Sequence, residues 1–259
     1  DTNWGDSGVH KGRSSSSQCR VYYNYGSAKI HNGIIYVPSY YDRKIRMIRE
    51  SDGACLGSIT INQYIRGFDI HTISGTAHLF ALHSGGIYTR NLSNNASRTC
   101  GHGSNNYLRY TFAAAASGNY LFTYYGNSIA RFDLVANGSN FCPQPSGYKR
   151  TSRSMGSVYG MTAHPTNAGE LYFLSYSNSK LYKVTVASNG TSHTLNWSKG
   201  SRRYNGTSSS SALYFYYPLG VHYDDTNNRI ITSGYNSRTV EILDNNGDWI
   251  KTIGGAATT

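Results

Sequence analysis

The chain has 259 residues, of which 14% are charged, and its 24 Lys and Arg against 13 Asp and Glu give a formal net charge of +11. Its 28 Gly and 24 Tyr exclude helical bundles and coiled coils, because glycine destabilises helices and aromatic side chains favour strands. No apolar run approaches the roughly 18 residues that a membrane-spanning helix needs, so no membrane span is predicted.

A pattern of four short strands recurs five times along the chain. The first strands are predicted at residues 27–31, 67–71, 112–116, 160–164 and 220–224. The second strands start at Ile34, His78, Tyr120, Leu171 and Arg229, and the third at Ile45, Ile87, Ile129, Leu181 and Val240. A turn residue that tolerates positive φ then precedes the fourth strand, at Gly53, Asn95, Gly138, Gly190 and Gly247.

This repeat predicts an all-β fold, a five-bladed β-propeller of four-stranded antiparallel blades. The predicted blades cover about residues 17–61, 62–103, 104–147, 148–202 and 203–256, after an N-terminal arm at 1–16 and before a tail at 257–259. Within each blade, the first strand lines the central channel.

The last unit contains the phrase Pro218-Leu219-Gly220-Val221-His222-Tyr223-Asp224. This phrase resembles the Pro-x-Gly-Val-x-x-Asp signature of the NHL-repeat propeller family, which the other four units match loosely. His31, His71 and His164 stand where the family has Asp. The resemblance implies a propeller fold, and one family member, a peptide-amidating lyase, holds a metal ion with channel histidines.

The N-terminal residue Asp1 and the four cysteines favour a secreted protein. The sequence shows neither an initiator Met nor a leader, as expected after removal of a signal peptide. No metal-ligand spacing links Cys19, Cys55, Cys100 and Cys142, so two disulfides are expected. Three pairings are open, and proximity along the chain favours Cys19 with Cys55 and Cys100 with Cys142.

Basic residues concentrate, with aromatic neighbours, in loops that a propeller places on one face. The predicted binding set is Arg43, Lys44, Arg66, Arg109, Lys149, Arg150, Arg153, Trp197, Lys199, Arg202, Arg203 and Tyr204. Such a face suits an acidic or sulphated glycan. The alternative is that these cations only solvate loop tips. No nucleic-acid-binding motif is present, so nucleic acid is not expected as a partner.

Two further sets of residues have candidate roles. Six Asn-x-Ser/Thr sequons predict N-glycosylation at Asn91, Asn95, Asn137, Asn189, Asn196 and Asn205. His31, His71, His164 and Asp224 end first strands and are weak candidates for a metal site in the channel; the alternative is that they cap the following turns. No catalytic motif appears, so neither an enzyme nor a cofactor is expected.

Three functions remain open from the sequence. The first is a secreted, non-catalytic structural glycoprotein of an extracellular filament, coat or matrix, self-assembling through residues 1–16 and burying Trp4 between subunits. The second is a lectin that binds acidic or sulphated glycans through the basic-aromatic face. The third is a propeller lyase or hydrolase that uses the channel histidines.

Overall fold

A computed structural model describes residues 21, 27–203, 208–210, 212–234 and 239–254. Within these residues, the antiparallel sheets form the five blades of a β-propeller, as the repeat predicts. No helix in this part of the chain is long and apolar enough to cross a membrane. The one short helix, α1 (Asn106–Arg109), precedes blade three.

The first two blades match the predicted pattern. Blade one contains β1 (Lys29–His31), β2 (Ile34–Ser39), β3 (Lys44–Arg49) and β4 (Cys55–Thr60). Blade two contains β5 (Gly67–Ile73), β6 (Thr76–His83), β7 (Gly86–Asn91) and β8 (Ser97–Cys100). In both sheets the strands pair in chain order, so each blade is a simple antiparallel meander.

Blade three differs from this pattern in its outer strand. It contains β9 (Ala114–Ser117), β10 (Tyr120–Tyr125), β11 (Ser128–Asn137), β12 (Asn140–Pro143) and β13 (Lys149–Ser152). Both β12 and β13 pair with β11, so the outer strand is interrupted by residues 144–148. The predicted boundary near residue 147 therefore falls inside blade three, which extends to Ser152.

The last two blades again have four strands each. Blade four contains β14 (Val158–Ala163), β15 (Glu170–Ser175), β16 (Lys180–Val186) and β17 (His193–Lys199). A short parallel pair, β18 (Ser201–Arg202) and β19 (Tyr214–Phe215), follows it. Blade five contains β20 (Pro218–Asp224), β21 (Arg229–Gly234), β22 (Thr239–Asp244) and β23 (Trp249–Gly254).

All five predicted turns between third and fourth strands have positive φ. The angles are 71° at Gly53, 62° at Asn95, 62° at Gly138, 72° at Gly190 and 76° at Gly247. Asn and Gly tolerate this region of the backbone map with little strain, and they allow the outer strand to fold back on its blade.

Hydrophobic cores fill the four junctions between consecutive blades. Ile45 and Phe68 share the first cluster, and Phe132 centres the second. The third contains Phe173 and the fourth Leu243. A disulfide between Cys100 of β8 and Cys142 of β12, with Cα atoms 5.7 Å apart, links blades two and three. Cys55 is also disulfide-bonded, and its predicted partner Cys19 lies outside the described residues.

A buried ion pair joins blades across the centre of the ring. Nζ of Lys29 lies 2.9 Å from Oδ1 of Asp69, and these side chains are only 4% and 6% exposed. Lys29 also donates to the carbonyl oxygen of Met161 and to Thr162 Oγ1, both at 3.3 Å. The second carboxylate oxygen of Asp69 accepts a hydrogen bond from the Ala116 amide. One ion pair therefore bridges blades one, two, three and four.

Candidate functional site

The connections between second and third strands, and those between blades, emerge on the same side of the ring. We call this side the basic face. It includes the residues that contact these connections, and the connections themselves are residues 40–43, 61–66, 84–85, 101–113, 126–127, 153–157, 176–179 and the described part of 200–217. In the part of the chain that the structure describes, four tyrosines are among the exposed large hydrophobic residues, and all of them lie on this face: Tyr41, Tyr64, Tyr110 and Tyr125, 37–50% exposed. Aromatic side chains therefore form much of its accessible surface.

Arg43 and Tyr64 form the part of this face that blade one contributes. The Arg43 guanidinium lies 4.5 Å from the centre of the Tyr64 ring, and its Nη2 donates to the Tyr64 hydroxyl at 3.1 Å. Tyr40 stacks on Tyr64 with ring centroids 4.9 Å apart. The positive φ of Arg43, 57°, closes the tight turn between β2 and β3.

Arg66 leads into an aromatic cluster between blades two and three. Its guanidinium lies 5.5 Å from the Phe112 ring centre and 5.9 Å from that of Tyr110, and Nη1 donates to the Arg109 carbonyl oxygen at 2.8 Å. The Arg109 guanidinium lies 5.2 Å from the Tyr110 ring centre. Tyr110 in turn packs against Tyr125, with centroids 5.8 Å apart.

A second cluster surrounds α1, close to the rim. Arg150 donates from Nη1 to the Tyr107 hydroxyl at 3.0 Å. Tyr107 contacts both Tyr125 and Tyr148, with ring centroids 5.9 and 5.5 Å away. Tyr148, from the interruption of the outer strand, stacks on the core residue Phe132. The interruption of the outer strand thus adds an aromatic side chain to this face.

The aromatic contacts continue from blade three to blade five. Phe112 packs against Tyr159, Tyr159 against Tyr176, and Tyr176 stacks on Tyr217, with successive centroids 5.3, 5.3 and 4.6 Å apart. Arg202 ends this series, with its guanidinium 4.7 Å from the Tyr217 ring centre and hydrogen-bonded to the Tyr217 hydroxyl.

Six described cations have a carboxylate partner, and the arginines of this face are not among them; some described cations elsewhere, such as Arg98 and Arg229, also have none. Among the described residues, salt bridges join Lys29–Asp69, Arg46–Asp42, Arg49–Asp52, Arg131–Asp133, Lys183–Glu170 and Lys199–Asp248. In the same part of the chain, the structure pairs no carboxylate with Arg43, Arg66, Arg109, Arg150 or Arg202. Their positive charge is therefore available to an anion from outside the protein.

Three predicted members of the set lie elsewhere. The Lys199 ammonium pairs with Asp248, in the turn before β23. Trp197 contacts Tyr172 and lies over Gly247 of the same turn. Lys149 lies beside Gly190, in the turn after β16. All three lie in outer strands, β13 and β17, where successive side chains point to opposite sides, so the position in the chain does not decide which neighbours they contact.

The remaining members of the predicted set are placed as follows. The Arg203 guanidinium lies 5.0 Å from the Tyr214 ring centre. The backbone of Arg153 accepts a hydrogen bond from the Tyr124 hydroxyl, and Lys44 begins β3 at the edge of the face. Tyr204 lies outside the described residues. Sequence reasoning missed Tyr110 and Phe112 as partners of Arg66, because these contacts join loops that are far apart in the chain.

The four candidate metal ligands do not share a common site. His164 accepts backbone hydrogen bonds at Nδ1 from Thr166 and Asn167, and Asp224 accepts bonds from Asn227. His71 contacts the Gly118 carbonyl oxygen, and burial lowers the pKa of His31. Among described residues, no group of three or more His, Cys, Asp or Glu is placed to hold a metal ion. The contacts of His164 and Asp224 match the turn-capping alternative.

A polar network on the opposite side of the ring joins blades four and five. The buried Tyr172 hydroxyl lies 2.6 Å from Glu170 Oε1 and 2.7 Å from Asn245 Oδ1, while Lys183 pairs with Glu170 at 2.9 Å. Burial opposes ionisation of Glu170, but the bonds from Tyr172 and Lys183 outweigh it and keep its pKa low. Burial, followed by the bond to Glu170, raises the pKa of Tyr172. The network stabilises the junction between the two blades.

The sequons differ in accessibility. Asn95, Asn189 and Asn196 are exposed and Asn137 is half-buried, whereas Asn205 lies outside the described residues. Asn91 is only 8% exposed, and its Nδ2 donates to the Ser139 carbonyl oxygen at 3.0 Å. The nitrogen that would carry a glycan at Asn91 is therefore engaged inside the fold.

Comparisons with known proteins identify the architecture. No protein-family model and no curated protein matches the sequence. Among solved structures, an auxiliary nutrient binding protein from Bacteroides ovatus ATCC 8483 aligns at TM-score 0.62 and 11% identity, covering 92% of this chain and 59% of that one. A functionally unknown protein from Desulfotomaculum acetoxidans DSM 771 aligns at TM-score 0.53 and 11% identity, covering 87% and 68%.

Kuenenia stuttgartiensis hydrazine synthase is a third similar structure. It aligns at TM-score 0.52 and 12% identity, covering 86% of this chain and 84% of that one. At these identities the similarity shows a shared fold and nothing about activity.

Proposed function

We propose that this protein is a secreted, non-catalytic binding module that holds an acidic or sulphated glycan on its basic face. One observation carries the proposal: arginines from several blades lie against tyrosine or phenylalanine rings on one side of the ring, and no described carboxylate neutralises them. The net charge of +11 adds a long-range attraction for polyanions.

Stacking on a ring prepares an arginine for anion binding. The ring restrains the guanidinium plane through cation–π attraction, and the N–H groups that do not donate within the protein can donate to sulphate or carboxylate oxygens. Such charge-assisted, bidentate hydrogen bonds are directional as well as strong. A surface lysine, in contrast, would offer the same anion only a point charge at the end of a flexible side chain.

The disulfide favours a glycan over a nucleic acid as the polyanion. Cys100–Cys142 indicates an oxidising compartment, where extracellular acidic polysaccharides occur and nucleic acid is scarce. The exposed rings of the same face also suit the flat, apolar faces of sugar rings, which a purely electrostatic surface does not.

Binding to a sulphated polysaccharide such as heparin tests this proposal. The variant Arg66→Gln with Arg202→Gln removes two charges from the basic face, and Arg49→Gln with Arg229→Gln removes two from elsewhere. We expect the first pair to lower affinity at least tenfold and the second less than threefold, with no binding of neutral dextran. Equal losses in the two pairs would show that only net charge matters and would overturn the proposal.

One observation favours an assembly role as a second candidate. Outer strand β23 exposes Ile250 and Ile253, at 41% and 50%, beside a strand edge that pairs with no described strand and to which an extended segment can add. The arm at 1–16 that would supply such a segment lies outside the described residues. Membership of the NHL-repeat family is also a proposal, supported by Asp224, which caps the turn after the signature phrase in β20.

A further inference from the structure

The basic face has a cleft between blades three and four, which we call the inner cleft. It encloses about 440 Å³ and is lined by Tyr110, Phe112, Tyr125, Asn127, Ser157 and Tyr159, among others. Five aromatic side chains, those four and Tyr124, form its apolar walls, and the amide and hydroxyl groups provide hydrogen-bonding partners. Small-molecule sites commonly combine these features at a similar volume.

A second cleft, the outer cleft, lies on the other side of the Tyr107–Tyr125 contact. It encloses about 450 Å³ between the α1 segment and the interruption of the outer strand, and Asn105, Asn106, Tyr107 and Tyr148 line it. Because Tyr125 lines the inner cleft and contacts Tyr107, which lines the outer one, the contact between these two rings separates the clefts.

Each cleft has an arginine at its aromatic wall. Arg66 stands over Phe112 and Tyr110 of the inner cleft, and Arg150 binds the hydroxyl of Tyr107 in the outer one. Neither has a carboxylate partner in the described part of the chain. Apolar walls and an adjacent cation match a pyranose ring that carries an anionic group at its edge.

We propose that the two clefts are consecutive subsites for neighbouring anionic sugars of one oligosaccharide. This inference rests on the proposed function and adds where the glycan sits. One ring lies against the aromatic walls of the inner cleft, with its hydroxyls toward Asn127 and Ser157 and its carboxylate or sulphate toward Arg66. The next ring occupies the outer cleft, with its anionic group toward Arg150.

Two equally exposed tyrosines on the basic face give a matched test. Tyr110 lines the inner cleft and Tyr64 lies outside both clefts; each is 37% exposed and has an arginine at its ring. Calorimetric titration with an unsulphated uronic-acid tetrasaccharide, a sulphated tetrasaccharide and a neutral one compares Tyr110→Leu with Tyr64→Leu. Leucine retains apolar bulk but removes the flat ring.

We expect Tyr110→Leu to weaken at least one anionic tetrasaccharide tenfold, which equals about 1.4 kcal/mol, and Tyr64→Leu to weaken it less than twofold. Whichever anionic tetrasaccharide binds more tightly identifies the anionic group. The wild type should also bind the tetrasaccharide at least tenfold more tightly than the matching monosaccharide, because only the longer ligand fills both clefts.

Three outcomes would overturn the inference. If Tyr110→Leu binds as the wild type does while Arg66→Gln with Arg202→Gln loses heparin, the proposed function stands and the subsites are wrong. If heparin binding itself is absent, both fail. If a single-stranded oligonucleotide of equal charge binds more tightly than any tetrasaccharide, the clefts take bases instead of sugars.

Discussion

The ammonium group of Lys29 and the carboxylate of Asp69 meet 2.9 Å apart at the centre of the ring, almost fully withdrawn from solvent. A buried charge is tolerated only with a partner, so losing either one should leave the other uncompensated. We expect Lys29→Met or Asp69→Asn alone to lower the free energy of unfolding by about 3–5 kcal/mol.

The double variant Lys29→Met with Asp69→Asn should lose clearly less than the sum of the two single variants, as measured by urea denaturation. Asp52→Asn is the control, because it removes the carboxylate of the exposed Arg49–Asp52 pair and should hardly move the midpoint. Strictly additive losses would show that the central pair does not couple the blades.

The histidine of blade five makes stability depend on pH. Burial first, and then the charge of Lys29, lower the pKa of His222 to about 4, although Asp69 and Asp224 oppose this shift. Between pH 6.5 and 4 the unfolded chain binds a proton that the folded chain does not, so this residue reduces stability as pH falls through that window.

Over this pH window, His222 lowers the free energy of unfolding by at most about 3 kcal/mol. His222→Gln cannot take up the proton, so its unfolding free energy should fall less steeply than that of the wild type when both are measured by urea denaturation from pH 7 to 4. Parallel curves would exclude His222 as the source.

The disulfide between blades two and three should contribute about 2–4 kcal/mol, because it restricts the unfolded chain over 42 residues. Replacing both Cys100 and Cys142 with Ser should lower the unfolding midpoint by a corresponding amount while the blades still fold. Peptide mapping without reduction should recover these two cysteines linked, and recovery of Cys55 linked to Cys100 would contradict the structure.

Glycosylation should follow the accessibility of each acceptor nitrogen. After expression in a eukaryotic secretory pathway, glycopeptide mapping should find glycan at one or more of Asn95, Asn189 and Asn196 and none at Asn91, whose amide is buried and hydrogen-bonded. Glycan at Asn91 would mean that this turn is open when the chain is modified.

The arm gives a separate test of assembly. Deletion of residues 1–16 removes Trp4 and should leave a folded monomer that no longer assembles. Light scattering and electron microscopy of full-length and truncated protein measure this. A truncated protein that forms the same oligomer, or a full-length protein that is strictly monomeric, would rule out assembly through the arm.

The preferences of single residues for turns and strands were sufficient to predict the blades, but not the contacts between blades. Gly138 and Gly247 mark their turns because the preference for positive φ belongs to the residue itself. In contrast, Lys29 and Asp69 are 40 positions apart, and each looks like an ordinary polar residue in a short strand. Their pairing depends on how the ring closes, which no local pattern encodes.

The residues of the basic face were predicted only in part for the same reason. Arg43 and Tyr64 lie in loops that the strand order alone assigns to one face. Tyr110 and Phe112 escaped notice because their role depends on Arg66, which approaches from the preceding blade. Lys199 was misplaced because its partner, Asp248, comes from the next blade, a contact that its position in β17 does not predict.

Hydroxyl-radical footprinting with and without an acidic glycan tests most directly whether the basic face is the binding surface. Tyr41, Tyr64, Tyr110 and Tyr125 report on that face, and the similarly exposed Leu56, Val135, Ile250 and Ile253 lie outside it. We expect a saturating acidic glycan to lower oxidation severalfold at Tyr110 and Tyr125, to lower it less at Tyr41 and Tyr64, and to leave the four aliphatic residues unchanged. Protection of the aliphatic residues with none at the tyrosines would contradict the proposal.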